Sequence, residues 1–299
     1  MPEIGTLRRR VRRKRRQWQR YGWRKLLGKP AHDLRWRLSD RDALAHWVDR
    51  RLALDGYYWL FLLGLNNSGT SILSTILAVH PRIRSLPNEG QLLTSAFPKT
   101  SEYGAGRNWT KFPDVFRWTE EHDSAPALRA RYDWAYLYEP GPGILMEKSP
   151  PNSIRSRWLE QNFRPSRFLA LTRHPYAVCE GIRRRTGLAL EEAAEHWRRG
   201  NEILLEDCAR LERCLLLTYE EVTEHPEEQL QRIERFLELD IPVDRSVLEA
   251  PIPMHNIGGR PQLLQNLNGK SFERLSRDDR AAIDRVAGPL MERLGYAPL

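Results

Sequence analysis

The segment from Tyr57 to Val79 constrains this chain more than any other. An apolar run, Tyr57-Tyr-Trp-Leu-Phe-Leu-Leu63, leads into Gly64-Leu-Asn-Asn-Ser-Gly-Thr-Ser71, and the next residues, Ile72-Leu-Ser-Thr-Ile-Leu-Ala-Val79, carry helical apolar spacing. The pattern predicts a strand, a loop of small residues and a helix start. Such a turn collects free backbone N–H groups and the positive end of a helix dipole around one point, which suits a phosphate. The spacing G-x-x-x-x-G-T-S copies the nucleotide-binding P-loop with one exchange: Thr70 stands where the lysine is expected.

A P-loop kinase or ATPase uses that lysine on the β- and γ-phosphates and holds Mg²⁺ with the next Ser/Thr and an acidic residue on a later strand. Here the second strong strand, Arg167-Phe-Leu-Ala-Leu-Thr172, ends in Arg173. A nucleotide kinase or NTPase is therefore the lesser alternative, and no metal is expected. The loop is left to a mononucleotide phosphate that bears some other group. Along the rest of the chain, strands are predicted near 57–63, 83–86, 143–147, 167–172 and 214–218. Helices are predicted over 70–79, 152–163, 175–186, 188–211, 226–238 and 277–294. The alternation reads as an α/β fold, a three-layer sandwich around a central parallel sheet.

Five blocks, in order, carry a family resemblance: Leu63-Gly-Leu-Asn-Asn-Ser-Gly-Thr-Ser71 with His80-Pro81; Met146-Glu-Lys-Ser-Pro-Pro-Asn152; Phe168-Leu-Ala-Leu-Thr-Arg-His-Pro-Tyr-Ala-Val178; Leu217-Thr-Tyr-Glu-Glu-Val222; and the tail from Phe272 to Tyr296. Over residues 57 to 297 the chain resembles sulfotransferases that use 3′-phosphoadenosine 5′-phosphosulfate (PAPS) and release adenosine 3′,5′-bisphosphate, and it is similar to the carbohydrate and tyrosyl-protein members. The resemblance implies a P-loop-like 5′-phosphosulfate loop made by Asn66, Asn67, Ser68, Gly69, Thr70 and Ser71. It implies Arg173 at the 3′-phosphate, Tyr219 as a nucleotide or substrate contact, and a late loop from His255 to Phe272 that reaches phosphate with Arg260 and Lys270. An arginine at a strand end also serves as a carboxylate's partner, so Arg173 has that alternative. The family usually adds a serine eight residues after this arginine, where this chain has Gly181.

For transfer to a hydroxyl, the resemblance implies Glu89 as the base, in Ser85-Leu-Pro-Asn-Glu-Gly-Gln91, with helix capping at Gly90 as its alternative and His80, Glu180 and His255 as rivals. Family members commonly carry Lys or Arg just before the Ser/Thr-Gly of the loop. This chain has the neutral donor Asn67, which passes the cationic role to Lys148. The expected acceptor is a carbohydrate, glycolipid or small-molecule hydroxyl, and the aromatic-rich stretch from Gln91 to Pro142 is assigned to its side of the site. A catalytically impaired polyanion- or membrane-binding protein on the same fold is the other alternative.

Charge is concentrated at one end. Residues 1–29 hold twelve Lys/Arg against Glu3, a net of +11, whereas the whole chain is +9, so the remainder is −2. Within this basic arm, residues 8–27 mix cations with Trp18, Tyr21, Trp23, Leu26 and Leu27, the composition of a segment lying on an anionic membrane surface; nucleic acid is the less expected partner. Residues 30–56 read as a helical linker packing on the body, and 57–299 as the catalytic domain. No stretch approaches a membrane span, no apolar leader is visible, and the expected location is cytoplasmic with peripheral membrane contact. Cys179, Cys208 and Cys214 lack C-x-x-C spacing and read as reduced, mostly buried thiols.

Overall fold

The computed structural model describes residues 23–52, 57–139, 143–252 and 263–299. Five strands form one sheet: β1 (Tyr58–Leu63), β2 (Ile83–Ser85), β3 (Ile144–Lys148), β4 (Ser166–Thr172) and β5 (Cys214–Thr218), in the order β2-β3-β1-β4-β5. Every pairing is parallel, so β1 sits at the centre with Leu60 opposite Met146 on one side and Arg167 on the other. A parallel sheet needs helices on both faces, and the strands accordingly read as near-continuous apolar runs instead of alternating ones.

Each face has its own core. Trp59, Phe61 and Leu63 of β1 pack with α2 (Arg41–Leu52), α4 (Ala125–Leu137) and α5 (Ser156–Asn162) through Leu44, Val48, Trp134 and Trp158. Leu60 and Leu62 face the other way, onto α3 (Thr70–Leu77) and onto α8 (Tyr219–Glu224) and α9 (Pro226–Leu237) through Leu73, Ile76, Val222 and Ile233. A third cluster joins α6 (Pro175–Thr186), α7 (Leu190–Cys208) and α11 (Arg277–Arg293) to Trp109 and Phe116. The first helix, α1 (Trp23–Leu38), is tied down by His32, whose Nε2 lies 2.9 Å from Asp133. Asp133 also accepts from Thr94 and Arg129.

The five strands and six helices match the predicted spans to within a few residues, except that 152–163 divides into a 3₁₀ turn over Pro150–Ile154 and α5. Two readings need correction. No helix is predicted between Gln91 and Pro142, but the stretch contains α4, whose Tyr132 and Trp134 are fully buried. The cysteines are not all reduced. Cys208 closes α7 and Cys214 opens β5; the short turn between them brings their Cα atoms to 5.5 Å, and the pair is disulfide-bonded. Cys179 is free, and burial pushes its thiol well above the usual range. Among the described residues no helix is long and apolar enough to cross a membrane, and no group of His, Cys, Asp and Glu could hold a metal. The expected arm over 1–29 lies mostly outside the described residues.

Candidate active site

The loops after β1 and β4 leave in opposite directions along the sheet, β1 toward β2 and β4 toward β5, which opens a crevice at the strands' carboxyl ends. The 64–71 loop fills one side of it. Gly69 caps α3 at φ 98, and a Cβ there would lie 2.6 Å from the Tyr219 ring, so both backbone and space require glycine. Gly64 N–H donates to Ser153 at 2.7 Å, fixing where the loop begins. Asn66 and Asn67 are each held by the segment between β2 and α4. Trp109 Nε1 donates to Asn66 Oδ1 at 3.0 Å and Arg107 Nη1 to Asn67 Oδ1 at 2.9 Å.

Asn67 stands at φ 72, a left-handed conformation that asparagine tolerates better than most residues. Its side chain lies over Gly181, where a Cβ would come within 2.8 Å of Nδ2. The two departures from the family pattern, at 67 and 181, are therefore in contact: the amide fills the space a side chain at 181 would use.

Arg173 leaves the end of β4. Its Nη1 donates to the Asn67 carbonyl and its Nε to Asn268 Oδ1, both at 2.8 Å, while the guanidinium stacks 3.9 Å above the Tyr219 ring. Burial holds the pKa of the arginine below its usual value. Tyr219 is a platform. Its hydroxyl donates to Gln265 O and accepts from Leu267 N, both at 3.1 Å, and burial raises its pKa. Asn268 is fixed in turn by Glu220. Among the described residues the partners of Arg173 are a carbonyl, an amide and a ring, and not the carboxylate of the alternative reading.

Glu89 precedes a 3₁₀ turn over Gly90–Leu92 but does not cap it with its side chain. Its Oε1 instead takes Lys148 Nζ at 3.2 Å and its Oε2 takes Gln91 Nε2 at 3.2 Å. Beneath it, fully buried Glu147 accepts from Gly90 N–H and Ser149 and from Asn152, and so fixes the backbone on which Glu89 stands. Burial raises the pKa of Glu147, against the donors around it. His80 is no rival base: Nε2 donates to Ile241 O and Nδ1 accepts from Arg82 N–H. Glu180 is buried and bound by Arg184 at 2.9 Å. His255 and Arg260 lie outside the described residues.

One cavity of about 290 Å³ brings together Asn66, Asn67, Gly69, Thr70, Ser71, Glu89, Lys148, Arg173, Tyr219 and Lys270; Ser68 is buried beside it. Its wall also includes Arg107, Arg184, Arg185 and Arg274, making, among the described residues, seven cations against the single carboxylate of Glu89. That balance calls for a ligand with several negative charges. Sequence reasoning missed Arg107, Asn268 and the Arg184–Arg185 pair. Arg107 follows Gly104 and Gly106, both at positive φ, and this tight turn was the one local signal available.

A profile of the sulfotransferase family matches residues 60–243. The chain belongs to that family. It is similar to protein-tyrosine sulfotransferase A of Caenorhabditis elegans, 25% identical over 269 residues that cover 82% of this chain and 70% of that protein. It is also similar to protein-tyrosine sulfotransferase of Drosophila melanogaster, 26% identical over 221 residues, 71% of this chain and 42% of that protein. Among solved structures, a sulfotransferase of Mycobacterium avium shares the fold with a TM-score of 0.51 at 14% identity, covering 86% of this chain and 82% of that one. As a sulfotransferase, the chain moves a sulfuryl group to a hydroxyl-bearing acceptor.

Proposed function

We propose that the donor is PAPS, bound with its 5′-phosphosulfate on the 64–71 loop and its 3′-phosphate on Arg173, and that Glu89 is the base. The observation that carries this is the Glu89–Lys148 pair at 3.2 Å on the wall of the same cavity as the loop and Arg173. In-line transfer needs a proton acceptor for the attacking hydroxyl and cations for the oxygens that gain charge, and both stand together here. Lys148 holds the carboxylate in place and meets the leaving oxygens, while Tyr219 and Asn268 keep Arg173 aimed. Lys270, on α10 (Asn268–Phe272), closes the nucleotide side. Residues 57–299 are the catalytic unit in this reading, with 30–56 packed on it.

The acceptor is a carbohydrate or glycolipid hydroxyl that carries negative charge nearby, which the Arg184–Arg185 pair on the cavity wall favours over a neutral sugar. The names of the relatives support a second reading, a tyrosyl side chain in a protein. The basic segment 8–27 brings the enzyme to an anionic membrane surface; co-sedimentation with anionic but not neutral vesicles, weakened by salt, is expected.

The donor is tested by thermal shift. Adenosine 3′,5′-bisphosphate at one hundred times its Kd adds about 2.7 kcal/mol of stability without divalent metal. Preference for ATP·Mg²⁺ refutes the reading. An uronate-bearing oligosaccharide set against a tyrosyl peptide then decides the acceptor.

A further inference from the structure

Sulfuryl transfer places charge on the sulfuryl oxygens and on the leaving phosphate, and the cation that meets it must be in position beforehand. The 64–71 loop contains none. Of the cavity's cations, Lys148 is paired with Glu89, and Arg184 and Arg274 face Glu180 at 2.9 and 3.7 Å. Arg173 is tied to Asn268 and to the Asn67 carbonyl.

Arg107 differs from these. It lines the cavity with Glu89 and Lys148, it has no carboxylate within hydrogen-bond distance among the described residues, and its guanidinium is anchored to Asn67 Oδ1 at 2.9 Å. Asn67 is suited to anchoring. At φ 72 a long cationic side chain is disfavoured and asparagine is tolerated, and Gly181 leaves room for the amide. Trp109, two residues on, donates to Asn66, which holds the same segment against the loop at a second point.

We propose that Arg107 is the cation of the sulfuryl site, supplied by the segment between β2 and α4 and aimed by Asn67, in place of a cation on the loop. The inference rests on the donor reading above. In the transfer the acceptor oxygen bonds to sulfur as the bond from sulfur to the bridging oxygen of the 5′-phosphate breaks. The hydroxyl proton passes to Glu89, the electron pair leaves with adenosine 3′,5′-bisphosphate, and Arg107 stays on the sulfuryl oxygens without exchanging a proton.

The test needs no acceptor. PAPS and adenosine 3′,5′-bisphosphate, which lacks the sulfuryl group, are titrated separately by calorimetry into the full chain and its variants. Arg107→Ala should weaken PAPS about tenfold to a hundredfold, the range of one charge-assisted hydrogen bond, and the bisphosphate by less than about threefold. Arg107→Lys should keep most of the PAPS affinity. Arg107→Gln can still donate to Asn67 but carries no charge, so it should behave like Arg107→Ala. Equal losses for both ligands, or full PAPS affinity in Arg107→Gln, would show that Arg107 only holds the loop. A parent chain that binds neither nucleotide refutes the donor reading itself; a parent that binds both, with variants that leave their ratio unchanged, refutes only the role of Arg107.

Discussion

The two halves of the cavity are built differently. On the Arg173 side every group is closed within a short circuit: the guanidinium on the Tyr219 ring, the Tyr219 hydroxyl on residues 265 and 267, and Asn268 between Arg173 and Glu220. On the Glu89 side the parts come from four places, the end of β3, the turn after β2, the loop after β1 and the segment around Arg107, and side-chain bonds join them in two pairs: β3 to the turn, and the Arg107 segment to the loop. In the first half each polar group is thus held by at least one neighbour. In the second a change at one position is felt at its neighbour, as Asn67 and Gly181 show: a Cβ at 181 would come within 2.8 Å of the Asn67 amide.

The comparison breaks most sharply at Glu89. Glu89→Gln keeps the shape but cannot take a proton, so kcat should fall roughly 10²–10⁴-fold while bisphosphate affinity stays within about twofold, measured by turnover and calorimetry. Loss of nucleotide binding in that variant would mean the halves are not separate. Arg173→Ala should do the reverse. Bisphosphate affinity falls about tenfold to a hundredfold and AMP affinity hardly at all, because the lost contacts belong to the 3′ group.

Acid should reach the Glu89 half through His196. Fully buried, with Nδ1 2.7 Å from Thr110 Oγ1, it is pushed down to about 3 by burial. The unfolded chain, with an ordinary histidine pKa near 6.5, binds the extra proton below that value, so stability is complete above about pH 6.5 and is lost as pH falls, by up to about 1.4 kcal/mol per pH unit. Denaturation midpoints at pH 7.5 and 5.5, compared with those of His196→Gln, measure this; a parallel pH dependence in the variant removes His196 as the cause. The smallest effect belongs to Gly181→Ser. Its Cβ displaces the Asn67 amide, and PAPS affinity should drop severalfold, on the order of 1 kcal/mol, with the bisphosphate unaffected.

The legibility of the two halves in the sequence differs in the same way. β1, its loop and α3 form one contiguous pattern whose local physics fixes its geometry, so a phosphate loop could be named from spacing, and Arg173 could be placed at a strand end, although its role came through the family resemblance. Glu89 and Lys148 could be named only through the family resemblance, and their contact could not, because it depends on strand order. Arg107 was missed: the glycines at 104 and 106 signal a turn but not that it brings the chain back onto Asn67, 40 residues earlier. The disulfide was missed for a related reason, since a spacing of six fits no motif until a helix end and a strand start bring the cysteines together. α4 was hidden by a weak apolar pattern, with its aromatic residues buried among other helices.

The Trp109 and Arg107 bonds to the loop carry one more consequence. If the acceptor approaches past this segment and the donor sits on the loop, as proposed above, the two ligands are thermodynamically coupled. Any acceptor that shifts residues 107–110 changes donor affinity by some factor, and the donor must change that acceptor's affinity by the same factor. A better acceptor for this protein would thus be recognisable without any turnover, by how strongly it sharpens the grip on PAPS.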